Sequence, residues 1–259
     1  MNLGIEGRVA VVCASSKGLG KACAMSLAEA GCEVFINGRN EASLEAAARD
    51  IRQTSGAKVT AVLGNIGSDE GRAAMLAACG QADILVTNNA GPPPKNFREL
   101  DHGALIEGVE ANMITPIMLI QAYIDGMIER RFGRIINITS GSVKAPLAGL
   151  DLSSGARAGL TAFTAGIARE TAGANVTINH ILPGAFDTDR QKGIAKAQSA
   201  RTGKSVDEVW EARAASIPAK RYGDPAEFGD LCAFIASARA GYITGQNLLI
   251  DGGVFPGAF

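Results

Sequence analysis

The sequence predicts an α/β fold: one domain with a central parallel sheet of about seven strands, doubly wound with helices on both faces. Three observations predict it. Short apolar runs alternate with longer Ala-rich amphipathic stretches, the runs lack polar alternation, and no linker, repeat or low-complexity segment divides the 259 residues. Taken in order, the runs are 8–14, 33–38, 58–64, 83–89, 134–140, 175–182 and 247–251. Strands without polar alternation are buried on both faces, which is the condition of a parallel sheet covered by helices. The stretch "LGKACAMSLAEAG" (19–31) reads as a helix stopped by Gly31, and "EASLEAAARDIRQTSG" (41–56) as one stopped by Gly56, because glycine adopts the left-handed closing conformation freely. The apolar "ITPIMLIQAYI" (114–124) fits a helix in the core or at an interface. Residues 189–218 break the rhythm: polar, helical in pattern and without a strand. An insertion at the C-terminal edge of a sheet is where substrate lids sit, so 189–218 is expected to be a lid, with Trp210 and Ile217 as pocket-lining groups. The alternative is a solvated helical hairpin.

Composition narrows the function. Lys and Arg total 25 against 26 Asp and Glu, a net charge of -1, which argues against a nucleic-acid binder. Cys13, Cys23, Cys32, Cys79 and Cys232 are scattered and odd in number, with no C-x-x-C pair, so buried reduced thiols are expected rather than disulfides or a metal site. The start "MNLGIEGRVA" lacks a basic-then-apolar leader, and no run of consecutive apolar residues reaches membrane-spanning length. A cytoplasmic protein, with neither membrane nor nucleic acid as partner, is the expectation.

The first β-α turn, "CASSKGLGKA" (13–22), carries the clearest chemistry. Gly18 and Gly20 allow close approach of a phosphate, and the helix that follows attracts its charge. An acidic residue after the second strand would hydrogen-bond the ribose of NAD. Here Lys17 in the turn and Arg39 after the strand offer positive charge instead, which suits the 2′-phosphate of NADP.

From these residues onward the chain resembles the short-chain dehydrogenase/reductase family along essentially its whole length. The family's T-G-x-x-x-G-x-G appears as "CASSKGLG", with Cys13 and Ala14 replacing the first Thr-Gly. Its N-N-A-G motif is intact at Asn88, Asn89, Ala90 and Gly91, and Pro183-Gly184 matches the P-G after the sixth strand. The resemblance implies a Rossmann fold that binds NADP(H) through Ser15, Ser16, Lys17, Gly18, Leu19, Gly20, Arg39, Asn65, Ile66, Asn89, Ala90, Gly91, Arg157, Pro183, Gly184 and Thr188. It implies catalytic roles for Asn112 and Ser140, a small-molecule carbonyl or alcohol substrate, and a homotetramer or homodimer.

One departure is specific. Counted from Ser140, the family's Y-x-x-x-K falls on Ser153 and Arg157. Tyr123, Tyr222 and Tyr242 are the only tyrosines and none has a lysine four residues on. A phenol is tunable from a pKa of ~10, whereas an aliphatic hydroxyl is far more basic. Ser153 is also roughly 5 Å shorter than tyrosine in reach. Arg157 keeps the charge of lysine but does not shuttle a proton. The expected function is an NADP(H)-dependent oxidoreductase whose proton arrives through water, Lys144 or the substrate. Asp151, Asp187 and His180 are weaker candidates, and His102 reads as a surface residue. Two further readings compete: a catalytically silent NADP binder, and non-redox chemistry of the halohydrin dehalogenase kind, which resembles this family but loses the dinucleotide motif.

Overall fold

The structure, a computed structural model, describes residues 2–91 and 94–258; the outermost residues of the expected 1–259 domain lie outside that range. Seven parallel strands form one sheet in the order β3-β2-β1-β4-β5-β6-β7. They are β1 (Val9–Val12), β2 (Glu33–Gly38), β3 (Val59–Leu63), β4 (Ile84–Thr87), β5 (Gly133–Ile138), β6 (Val176–Pro183) and β7 (Asn247–Ile250). Each lies within or beside an expected run. The winding reverses between β1 and β4, which opens a crevice at the carboxyl ends of the strands there.

Two apolar layers sandwich the sheet. Helices α1 (Gly18–Glu29), α2 (Glu41–Ser55) and α9 (Pro225–Ala236) cover one face through Leu27, Ile51 and Phe228. The opposite face packs against α3 (Asp69–Ala78), α5 (Thr115–Glu129) and α6 (Asp151–Thr171), with Met75, Leu119, Met127 and Ala168 in its core. Sequence signals set the helix ends. The Asn40 side chain caps α2 by accepting from the Ser43 amide at 2.9 Å, and Gly56 closes it at φ 72°. Gly31 sits at φ +88° just past α1.

A short helix α4 (His102–Val109) runs into α5 through a π-helical turn, Glu110–Ile114. The combined helix, His102–Glu129, is long and apolar enough to cross a membrane by length and composition alone. It is invisible in runs of consecutive apolar residues because Gln121, Asp125 and Glu129 interrupt it. Leu119, Ile120, Tyr123 and Met127 are buried against the sheet, and a core helix meets the same criterion. After β6 the expected helical segment forms α7 (Asp189–Thr202) and α8 (Val206–Ser216). Trp210 stacks on Tyr222 at 3.9 Å and Ile217 is buried, so both serve to hold this hairpin to the body.

Candidate active site

The turn after β1 is built by backbone conformation. Ala14 takes φ 45° and Gly18 φ 59°. A Cβ on Gly20 would stand 2.5 Å from the Ala14 carbonyl oxygen, so only glycine fits where α1 meets the strand end. Asn88 donates to that same carbonyl at 3.2 Å. The Ser15 hydroxyl donates to Val12 O at 2.7 Å and accepts from the Asn37 amide at 3.0 Å, while its own amide donates to Asn37 O. The hydroxyl and amide of Ser15 are therefore spent on shaping the turn. Ser16 lies beside Gly38, whose missing side chain leaves the space next to it. Leu19 packs on the apolar core. Lys17 and Arg39 are exposed, and neither joins an ion pair among the described residues. The α1 N-terminus has neither a capping side chain nor an acidic residue in its first turn, which leaves amide hydrogens and a partial positive charge facing the crevice.

At the rim, Asn65 is exposed and accepts from the Gly67 amide, while Ile66 is buried. Asn89 links β4 to the π turn by donating to Ala111 O at 3.2 Å, and its Oδ1 accepts from the Ala90 amide. Gly184 packs against Asp251 so closely that a Cβ would lie 2.6 Å from the Asp251 Cα. The Thr188 methyl would be 3.8 Å from a Cβ on Gly18, so the loop after Pro183 closes over the glycine turn.

Ser140, at the end of β5, caps a short 3-10 turn, Gly141–Val143. Its Oγ accepts from the Ser142 amide at 3.1 Å and the Ser142 hydroxyl at 2.9 Å. With both lone pairs engaged, its own proton is free to donate. Asn112 is buried in the π turn, where its Nδ2 donates to Gly108 O and its Oδ1 has no partner. Ser153 and Arg157 lie one turn apart on the inner face of α6, both buried. Arg157 Nε donates to Ser153 Oγ at 3.2 Å and Nη1 to Ile138 O at 2.7 Å. Burial, and then the nearby Arg190 charge, lower the Arg157 pKa to about 10, so it stays cationic at neutral pH.

The other candidates are not gathered at this point. Lys144 is exposed, with its ammonium 5.7 Å above the Phe255 ring. Asp151 accepts from the Gly149 amide, and Asp187 pairs with Lys192 at 2.9 Å. His102 starts α4 in an exposed position. His180 is buried in β6 with Nε2 3.0 Å from Thr164 Oγ1, and burial lowers its pKa to about 4. Burial also raises Cys13 and Cys32 to about 12, leaving no thiolate nucleophile there. Sequence reasoning missed Arg190, whose guanidinium meets Gly91 beside that of Arg157. The only signal was a basic residue two positions after Thr188.

The family profile described as enoyl-(acyl carrier protein) reductase matches residues 13–255. The chain is 36% identical over 260 residues to the 3-oxoacyl-acyl-carrier-protein reductase FabG of Vibrio cholerae, covering 98% of this chain and 99% of that protein. It is 33% identical over 258 residues to the NADPH-dependent reductase BacG of Bacillus subtilis, covering 95% and 97%. Among solved structures, L-sorbose reductase from Gluconobacter frateurii, complexed with NADPH and L-sorbose, superposes with a TM-score of 0.94 at 28% identity, covering 99% of this chain and 100% of that one. With a match that runs from the glycine turn to the last strand, the chain belongs to the short-chain dehydrogenase/reductase family.

Proposed function

We propose that this chain is an NADP(H)-dependent reductase of a carbonyl substrate, or the reverse dehydrogenase, whose proton-transfer site lacks the family's tyrosine and lysine. The observation that carries the reading is the uncapped α1 N-terminus behind Gly18, with Lys17 and Arg39 free of ion pairs beside it. These residues fit a dinucleotide phosphate: amides and the helix end meet the pyrophosphate, and the two cations meet a 2′-phosphate. Relatives whose names specify NADPH support the same cofactor.

When bound, the reduced nicotinamide supplies the hydride. Ser140, its lone pairs engaged by Ser142, donates a hydrogen bond to the substrate oxygen. Ser153 and Arg157 stand in the places of tyrosine and lysine. Arg157 stabilises the developing oxyanion by charge, a large effect in a dry site. Ser153 orients Arg157, and its short side chain leaves room for a water that delivers the proton. Lys144 would have to leave Phe255 to serve as donor. Residues 189–218 are proposed to be a substrate lid held by the Trp210–Tyr222 stack.

A silent NADP binder is the second reading, favoured by the commitment of Ser153 to Arg157 rather than to the crevice. A panel of ketones, quinones, oxo acids and oxoacyl thioesters, followed by NADPH absorbance, separates the two. Substrate-dependent oxidation that is lost in Ser140→Ala is the expected result. Tight NADPH binding with no turnover across the panel overturns the reductase and leaves the binder.

A further inference from the structure

Two guanidinium groups converge on Gly91, the last residue of the N-N-A-G segment. A Cβ there would lie 3.2 and 3.3 Å from Arg190 Nη1 and Nη2, and 3.6 Å from Arg157 Nη2. Both cations therefore reach one point at the mouth of the crevice. Arg157 is only 8% exposed. Its Nε and Nη1 are bonded to Ser153 and Ile138, while Nη2 turns toward Gly91 with no protein acceptor among the described residues.

Neither arginine is in an ion pair among the described residues. The acid at 187 is taken by Lys192. Two like charges held together without a counter-ion repel, and the repulsion is felt: Arg190 helps to lower the Arg157 pKa. Arg190 also lies in the first turn of α7, beside Asp189, the acidic residue of that turn. Repulsion between the two arginines and the unpartnered Nη2 both call for the same missing group.

We propose that Arg157 and Arg190 form a two-guanidinium clamp for an oxyanionic group seated against Gly91. Guanidinium forks match carboxylate and phosphate oxygens in bidentate geometry, and the absence of a side chain at position 91 is what lets both guanidinium groups come this close to the backbone. The anion is either a carboxylate on the substrate or the pyrophosphate of the cofactor. This inference rests on the reading of the crevice as a dinucleotide site. In either case Arg190, already beside Gly91, ties the 189–218 segment to the bound anion.

The test uses the full-length protein and the Arg190→Ala and Arg190→Lys variants, with calorimetric affinities for NADPH, phenylpyruvate and the methyl ester of phenylpyruvate. If the anion is a substrate carboxylate, wild type binds the acid at least about ten-fold more tightly than the ester. Arg190→Ala then erases that preference and leaves NADPH affinity unchanged. If the anion is the pyrophosphate, Arg190→Ala weakens NADPH by about ten-fold or more and leaves the acid-to-ester ratio alone. Arg190→Lys, which keeps charge but loses the fork, falls between in whichever arm responds. The clamp is overturned if Arg190→Ala changes neither quantity. The acid-to-ester ratio is also measured on the free protein. A chain that fails to bind NADPH then sinks the reductase reading, while the ratio still decides for or against the clamp.

Discussion

The two ends of the crevice are built by different means. At the β1 end, the cradle is made of backbone: left-handed Ala14 and Gly18, a glycine that no side chain can replace, and an uncapped helix end. At the β5–β6 end, the site is made of side chains, Ser140, Asn112, Ser153 and Arg157, on a polar surface. The cores beneath the two ends differ in the same sense. Under α1 and α2 the core is apolar throughout. Under α6 the register aligns Thr87, Asn137, His180 and Asn247 across four strands, and three of these hold a side-chain atom without a partner. A backbone-built site tolerates little change and preserves its ligand. A side-chain-built site can exchange its chemistry one residue at a time, and Ser153 and Arg157 are proposed to be such an exchange.

The largest expected effect breaks the backbone end. Gly20→Ala drives a Cβ into the Ala14 carbonyl; a loss of about 1–3 kcal/mol in stability is expected, together with loss of NADPH binding, read by thermal unfolding and calorimetry. Full retention of both would show that the turn is not so tightly specified. Next comes the polar row. His180 is buried with its pKa at about 4, below its ordinary 6.5, because burial disfavours the imidazolium. The unfolded chain therefore takes up the proton first as pH falls. His180's contribution is complete above pH 6.5 and is lost between 6.5 and 4, on the order of 3 kcal/mol. Denaturant unfolding against pH should show this drop, flattened in His180→Gln.

Ser140→Ala sharpens the contrast from the other side. It is expected to lower kcat by roughly 100-fold, with NADPH affinity unaltered because the backbone cradle is untouched. The paired change Lys17→Ala with Arg39→Ala should weaken NADPH by about ten-fold relative to NADH, on the strength of charge-assisted phosphate contacts. Smallest of all is Lys144→Ala, expected to change kcat by less than about two-fold, since its ammonium faces Phe255. A larger loss would place a proton donor where side-chain geometry argues against one.

Most of the fold is legible in the sequence because its signals are local. Continuous apolar runs and the glycine at 56 mark strands and a helix end within a few residues of those observed. The backbone end is legible for the same reason, since Gly18 takes a left-handed φ of 59° and Gly20 has no room for a side chain. What stays hidden depends on tertiary placement. The π turn that buries Asn112 has no residue signature, and α4 joins α5 into one long apolar helix only through it. Trp210 stacks on Tyr222, a partner that spacing along the chain does not announce. Arg190 meets Arg157 from another helix, a meeting that spacing along the chain does not reveal.

The reaction end is proposed to work with a permanent cation and no titrating acid. The dependence of kcat/KM on pH tests this most directly, for the best substrate of the panel. Burial lowers Arg157 only to about 10, so it keeps its charge through neutral pH, and His180 lies at about 4; the profile should therefore be flat between these two values. A step at neutral pH that disappears in a single-residue variant would contradict it, because such a step would reveal a proton donor that Ser153, Arg157 and water do not provide.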